Sequence, residues 1–121
     1  MSIQEIPDQP RQVFLENLVS GAATHQVLAC GIEVRVAHAG NRPGLALHVA
    51  REALQAGQLQ RALQRRFEQA QVFDGCFIYL NNQDALVIWH ALPTSHGDTG
   101  RILGRMLSLA NLSALDPGSS R

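Results

Sequence analysis

The chain contains no lysine: its ten cationic residues are all arginine, and ten Asp and Glu bring the formal net charge to zero, with a pI near 7.0. A neutral chain has no long-range field to steer it towards nucleic acid or an anionic membrane, so neither is expected as a partner. Cysteine is almost as scarce. Cys30 and Cys76, set in VLACGI and DGCFIY, exclude a framework of several disulfides and are expected to be buried, reduced thiols. Nowhere do about 18 apolar residues run together, and MSIQEIPDQP has no basic stretch ahead of an apolar one. Neither a membrane span nor a secretory signal is read, and a cytoplasmic protein is expected.

Catalytic signatures are missing too. There is no GxSxG, no HExxH and no cluster of paired carboxylates, so no catalytic residue is assigned. Asp98 in SHGD is explained by capping the helix that follows it. Glycines surround that helix start in GDTGRILG, but the string lacks the Gly-Lys-Ser/Thr ending of a phosphate cradle and does not directly follow a strand. The five histidines form no HxxxH or HxH pair. His38 and His48 could meet across a strand pair, yet two ligands without a carboxylate or thiolate make a poor site, so neither a metal nor another cofactor is expected.

What is present fits one domain over residues 1–121, with an ordered core of about 8–113 and loose termini; 45% of the residues are apolar. In DQPRQVFLENLVSGAA, Asp8 can cap a helix, Pro10 suits its first turn, and Phe14, Leu15, Leu18 and Val19 form a stripe. In HQVLACGIEVRVAH, Ile32, Val34 and Val36 alternate with Glu33 and Arg35, the pattern of a half-buried strand. Leu45, Leu47 and Val49 alternate likewise with Ala46, His48 and Ala50, completing an antiparallel pair. QLQRALQRRFEQAQ predicts a helix with Leu59, Ala62, Leu63, Phe67 and Ala70 inward and Gln60, Arg61 and Arg65 outward. Asp74-Gly75 breaks it. After Pro93 a last helix follows, with Ile102, Leu103, Met106, Leu107 and Ala110 on its apolar face. The order is helix, two or three strands, helix, two strands, helix: an α+β fold with a small twisted antiparallel sheet.

The hairpin CFIYLNNQDALVIWHAL is apolar on both faces. With a turn at Asn82-Gln83 or at Asn81 to Asp84, Cys76 faces Trp89, Phe77 faces Ile88, Ile78 faces Val87 and Tyr79 faces Leu86. One face then carries Cys76, Ile78, Leu80, Ala85, Val87 and Trp89, and the other Phe77, Tyr79, Leu86 and Ile88. Helices can cover one of these; the other is left for a partner. Tyr79 and Trp89 fall on opposite faces in this register, and whichever points outward is an interface anchor. Arg61, Arg65 and Arg66 form a basic cluster on the middle helix, for which a solvated face with an Arg65–Glu68 pair is the plain explanation and an acidic patch on a partner the sharper one.

LQRALQRRFEQAQVFDGCFIYLNNQDALVIWHALP followed by GRILGRMLSLANL resembles the second half of the class I type III secretion chaperones, and PRQVFLENLV, GIEVRVAH and GLALHVARE resemble their first helix and opening strands. The resemblance covers residues 10–112. It implies a chaperone-like α+β fold, usually homodimeric, that binds protein segments and catalyses nothing. Effector chaperones of this kind are commonly acidic, so the neutral charge and arginine cluster bring the chain nearer to the HrpV-type regulators of plant-pathogen secretion systems. These sequester a transcription activator and are themselves captured by a chaperone-like partner. The expectation is a virulence-linked regulator that holds a protein through Phe77, Tyr79, Leu86, Ile88, Trp89, Arg61, Arg65 and Arg66. A chaperone of one secreted effector is the alternative, and a small enzyme or metal-binding protein the alternative from another class.

Overall fold

The computed structural model describes residues 25–92 and 99–115. The helix expected from Asp8, His96 and the Asp98 cap lie outside the described residues. The elements run β1 (His25–Ala29), β2 (Ile32–Ala39), β3 (Arg42–Val49), a short 3-10 turn (Arg51–Ala53), α1 (Gln58–Glu68), β4 (Phe77–Leu80), β5 (Leu86–Ala91), α2 (Thr99–Leu109) and a second 3-10 turn (Ser113–Leu115). The strands form one antiparallel sheet in the order β1-β2-β3-β5-β4. The fold is therefore α+β, as expected.

Three strands precede α1 because the first apolar stretch divides at Cys30-Gly31. Gly31 takes φ +80°, a conformation that costs glycine little, and β1 folds back so that Val27 lies opposite Glu33. That turn places Cys30 in the open, contrary to the buried thiol expected there, while Cys76 is buried in the core; both are free.

The alternations in β2 and β3 hold. Ile32 pairs with Val49, Val34 with Leu47 and Val36 with Leu45 on one face; Glu33 pairs with His48 and Arg35 with Ala46 on the other. His38 pairs with Pro43, so the two histidines do not meet. β5 joins β3 with Ile88 beside Leu47 and Leu86 beside Val49, extending the apolar face. Onto it α2 lays Ile102, Leu103, Met106 and Leu107, all buried. Each such side chain stabilises the fold by about 1.5–3 kcal/mol relative to leaving it in water.

The hairpin register differs from the expected one by a single residue. Phe77 pairs with Trp89, Ile78 with Ile88, Tyr79 with Val87 and Leu80 with Leu86. The cause lies in the loop. The Asn81 side-chain oxygen accepts from the amides of Gln83 at 2.8 Å and Ala85 at 3.0 Å, the Asp84 amide reaches the Asn81 carbonyl at 3.0 Å, and Asp84 adopts a left-handed φ of 62°. An odd number of residues thus separates the strands, where an even number was expected, and the face assignments shift. Phe77, Tyr79, Val87 and Trp89 share the face away from the helices; Ile78, Leu80, Leu86 and Ile88 share the core face.

α1 is rotated relative to its apolar stripe. Gln58 and Ala62 are buried, and Gln58 donates to the Ala110 carbonyl at 2.8 Å. Arg65 lies over the Phe73 ring at 5.6 Å and donates to the Ser108 hydroxyl at 3.3 Å, while Arg66 donates to the Cys76 carbonyl at 2.9 Å. Arg65 is therefore turned towards the body and makes no pair with Glu68, whose carboxylate accepts from Gln64. Phe67 is five positions beyond Ala62, about 140° further round the helix. It is 84% exposed, and Leu63 is exposed beside it. Ala70 falls past the helix end and is also exposed.

Replacing Asn81 by Ala strands two loop amides. We expect Asn81→Ala to lower stability by about 1–2 kcal/mol in chemical denaturation, with faster hydrogen exchange at Gln83 and Ala85; unchanged exchange there would show that the side chain does not hold the loop.

Candidate functional site

The face of the sheet away from α1 and α2 is built from small residues under one large one. Trp89 of β5 would normally stand upright on a pleated strand, but Gly44 and Ala46 on β3 leave room for it to lie down. A Cβ built on Gly44 would fall 2.4 Å from the indole Cε2 and 2.5 Å from Nε1, so only glycine admits the ring in that pose. The indole N–H crosses β3 and donates to the Ala37 carbonyl of β2 at 2.8 Å. The single tryptophan of the chain is thus 8% exposed on a face that no described helix covers. Its ring is fixed at both ends.

Beside it stand Phe77 and Tyr79 of the edge strand β4. The Phe77 and Trp89 rings lie 6.0 Å apart at 45°, within the range of favourable aromatic contacts. Phe77 is 59% exposed and Tyr79 49%. Together with Ala37, Ala39 and Arg42 they line an apolar depression of about 400 Å³. The face changes character away from it. Glu33 and Arg35 form an ion pair on β2, and with His48, Arg51 and the Asn81 loop they line a broader polar hollow of about 740 Å³. Burial, reinforced by the Arg35 charge and opposed by Glu33, holds the His48 pKa below its usual 6.5. Burial raises the Cys76 thiol pKa, against the pull of Arg66 and Arg105, so that thiol is a core group. Among the described residues no three His, Cys, Asp or Glu side chains gather to hold a metal ion.

Of the residues expected to bind a partner, the structure brings Phe77, Tyr79 and Trp89 together. Leu86 and Ile88 go to the opposite face, fully buried under the helices, because of the one-residue register difference. Arg61 is exposed and bonds weakly to the Ala56 carbonyl at 3.3 Å, while Arg65 and Arg66 are spent on docking α1. None of the three arginines lines the depression beside the aromatic rings. Two features escaped sequence reasoning. One is the floor of Ala37, Gly44 and Ala46, whose signal was a run of small residues in strands otherwise rich in Leu and Val. The other is the exposed set Leu63, Phe67 and Val72, for which a helix of mixed composition carried no signal.

These features define an α+β protein with one helix-covered sheet face and one aromatic face that no described helix covers. The chain belongs to the HrpV-like family, whose model matches residues 8–114. The family supports a regulatory protein of type III secretion. Comparison with curated proteins and comparison with solved structures each returned no match. Among the described residues no helix is long and apolar enough to cross a membrane.

Two outcomes follow. Gly44→Ala should lift the indole, shift Trp89 emission and cost about 1–3 kcal/mol through overpacking; an unchanged spectrum would contradict the flat pose. Because the His48 pKa is depressed in the fold, the unfolded chain binds the proton more readily, so this residue's contribution is present above about pH 6.5 and is lost as pH falls below it. His48→Gln should flatten that part of the stability–pH curve.

Proposed function

We propose that this protein is a non-catalytic regulator of type III secretion that sequesters a protein partner in the cytoplasm on the open face of its sheet. The observation that carries the reading is the exposure of Phe77 and Tyr79 beside a locked Trp89. An edge strand with aromatic residues pointing into water is an aggregation liability unless something covers it. Burying each of these rings would contribute about 2 kcal/mol, and a rigid aromatic floor loses little conformational entropy on binding. Tyr and Trp are also the residues that most often anchor interfaces. The partner is a transcription activator or a chaperone-like protein; family membership favours these over a secreted effector, which is the alternative cargo.

A second surface fits a second subunit. Leu63, Phe67 and Val72 lie on α1 and in the turn after it, on the helix side of the sheet, so an occupant there does not compete with one on the aromatic face. Homodimerisation through α1 is the simplest use of that surface.

Tyr79→Glu should weaken capture of the native partner about tenfold or more, as measured by pull-down with the far-UV spectrum retained, and the recovered protein should be an activator or a chaperone-like protein. Recovery of a secreted effector alone would favour the alternative, and intact capture by Tyr79→Glu would remove the aromatic face from the reading. In light scattering, Phe67→Asp should convert any dimer to monomer without affecting capture.

A further inference from the structure

The depression over Trp89 has an apolar floor and a one-signed rim. The indole N–H is already used on the Ala37 carbonyl, so the floor offers an occupant carbon surface and no donor. The walls are Phe77, Tyr79 and the alanines of β2. At the rim, at the first position of β3 and opposite Ala39, stands the exposed Arg42, with His38 of β2 also bordering the hollow, and among the described residues no carboxylate lines the depression. Arg42 makes no ion pair or side-chain hydrogen bond among the described residues. Glu33, the carboxylate on this face of β2, is neutralised by Arg35. The volume of about 400 Å³ falls within the range of about 300–1,000 Å³ typical of ligand clefts.

We propose that this depression receives a peptide segment of the partner that carries a large apolar side chain with a carboxylate next to it, the apolar group resting on Trp89 and the carboxylate meeting Arg42. The inference rests on the reading above and adds the chemistry of the bound segment. An arginine fork suits a carboxylate, because it can bond both oxygens at once. The rim is solvated, so its charge acts on selectivity and on association rate more than on total affinity. Selection is consequently by sign: a segment with Lys or Arg at the flanking position would place like charge against Arg42.

Trp89 is the only tryptophan and forms the floor, so its emission reports occupancy directly. The test titrates the full chain with three short synthetic peptides that share a Leu-Phe centre flanked by Glu, by Ser or by Lys. The Glu-flanked peptide should shift Trp89 emission and bind about tenfold more tightly than the Lys-flanked one, and Arg42→Glu should reverse that order. Arg42 is exposed at the first position of β3, so this variant should keep its fold. Equal binding of all three peptides, or an order that Arg42→Glu leaves unchanged, would overturn the proposal. So would emission that ignores the peptides and shifts only on dilution, which would assign the depression to a second copy of the chain. Capture of the native partner separates the two levels: loss with Tyr79→Glu but not with Arg42→Glu sinks only the charge selection, whereas no loss with either sinks the reading beneath it.

Discussion

The register of the β4–β5 hairpin is the constraint on which the open face depends. β5 is fixed by its pairing with β3, which sends Trp89 to the bare face and Ile88 to the core. Among the described residues β4 has no strand on its outer side, so its register against β5 depends on the loop that joins them. The Asn81 side chain holds that loop by taking two amides that would otherwise look for partners elsewhere, and Asp84 supplies the left-handed residue that closes it. One residue fewer would place Phe77 and Tyr79 against the helices and turn Ile78 and Leu80 outward. The aromatic face exists because the loop count is odd.

Given that register, the face is partly closed by the protein itself. A tryptophan standing on an uncovered sheet would expose a large apolar area and one polar N–H. Lying over Gly44, the ring removes most of that area from water, and its N–H finds the Ala37 carbonyl, avoiding the cost of about 1–3 kcal/mol for a buried donor left unpaired. The small residues of β2 and β3 are thus the counterpart of the large one on β5. What the ring cannot reach are Phe77 and Tyr79 at the edge. Those two remain half in water.

The strands that carry polar residues at alternate positions were legible in the sequence. Ile32, Val34 and Val36 against Glu33 and Arg35 left one choice of inward face, and so did the apolar stripe of α2. The hairpin was legible as a hairpin but not in its faces, because apolar residues occupy nearly every position from Phe77 to Trp89 and alternation then distinguishes nothing. α1 misled for another reason. Its Leu59, Leu63 and Phe67 row predicts one rotation, while the bonds from Gln58 to Ala110 and from Arg66 to Cys76 impose another. Those partners are remote in sequence or come from another element, and no local pattern announces them. The exposed Cys30 has the same origin, since a turn set by Gly31 overrode apolar neighbours.

The rotation of α1 has a consequence for what the protein can hold. By turning Arg65 and Arg66 inward, the helix presents Leu63 and Phe67 to water on the helix side of the sheet, while the hairpin presents Phe77 and Tyr79 on the other side. Two separate apolar surfaces result, neither shadowing the other. A protein that only escorted one segment would need only one of them. The proposed function uses both, the hairpin face for the partner and the α1 surface for a second copy of the chain, and so draws on the α1 rotation as much as on the hairpin. The charge distribution fits that division: Arg65 and Arg66 of α1 bond within the body of the protein, while Arg42 borders the aromatic depression.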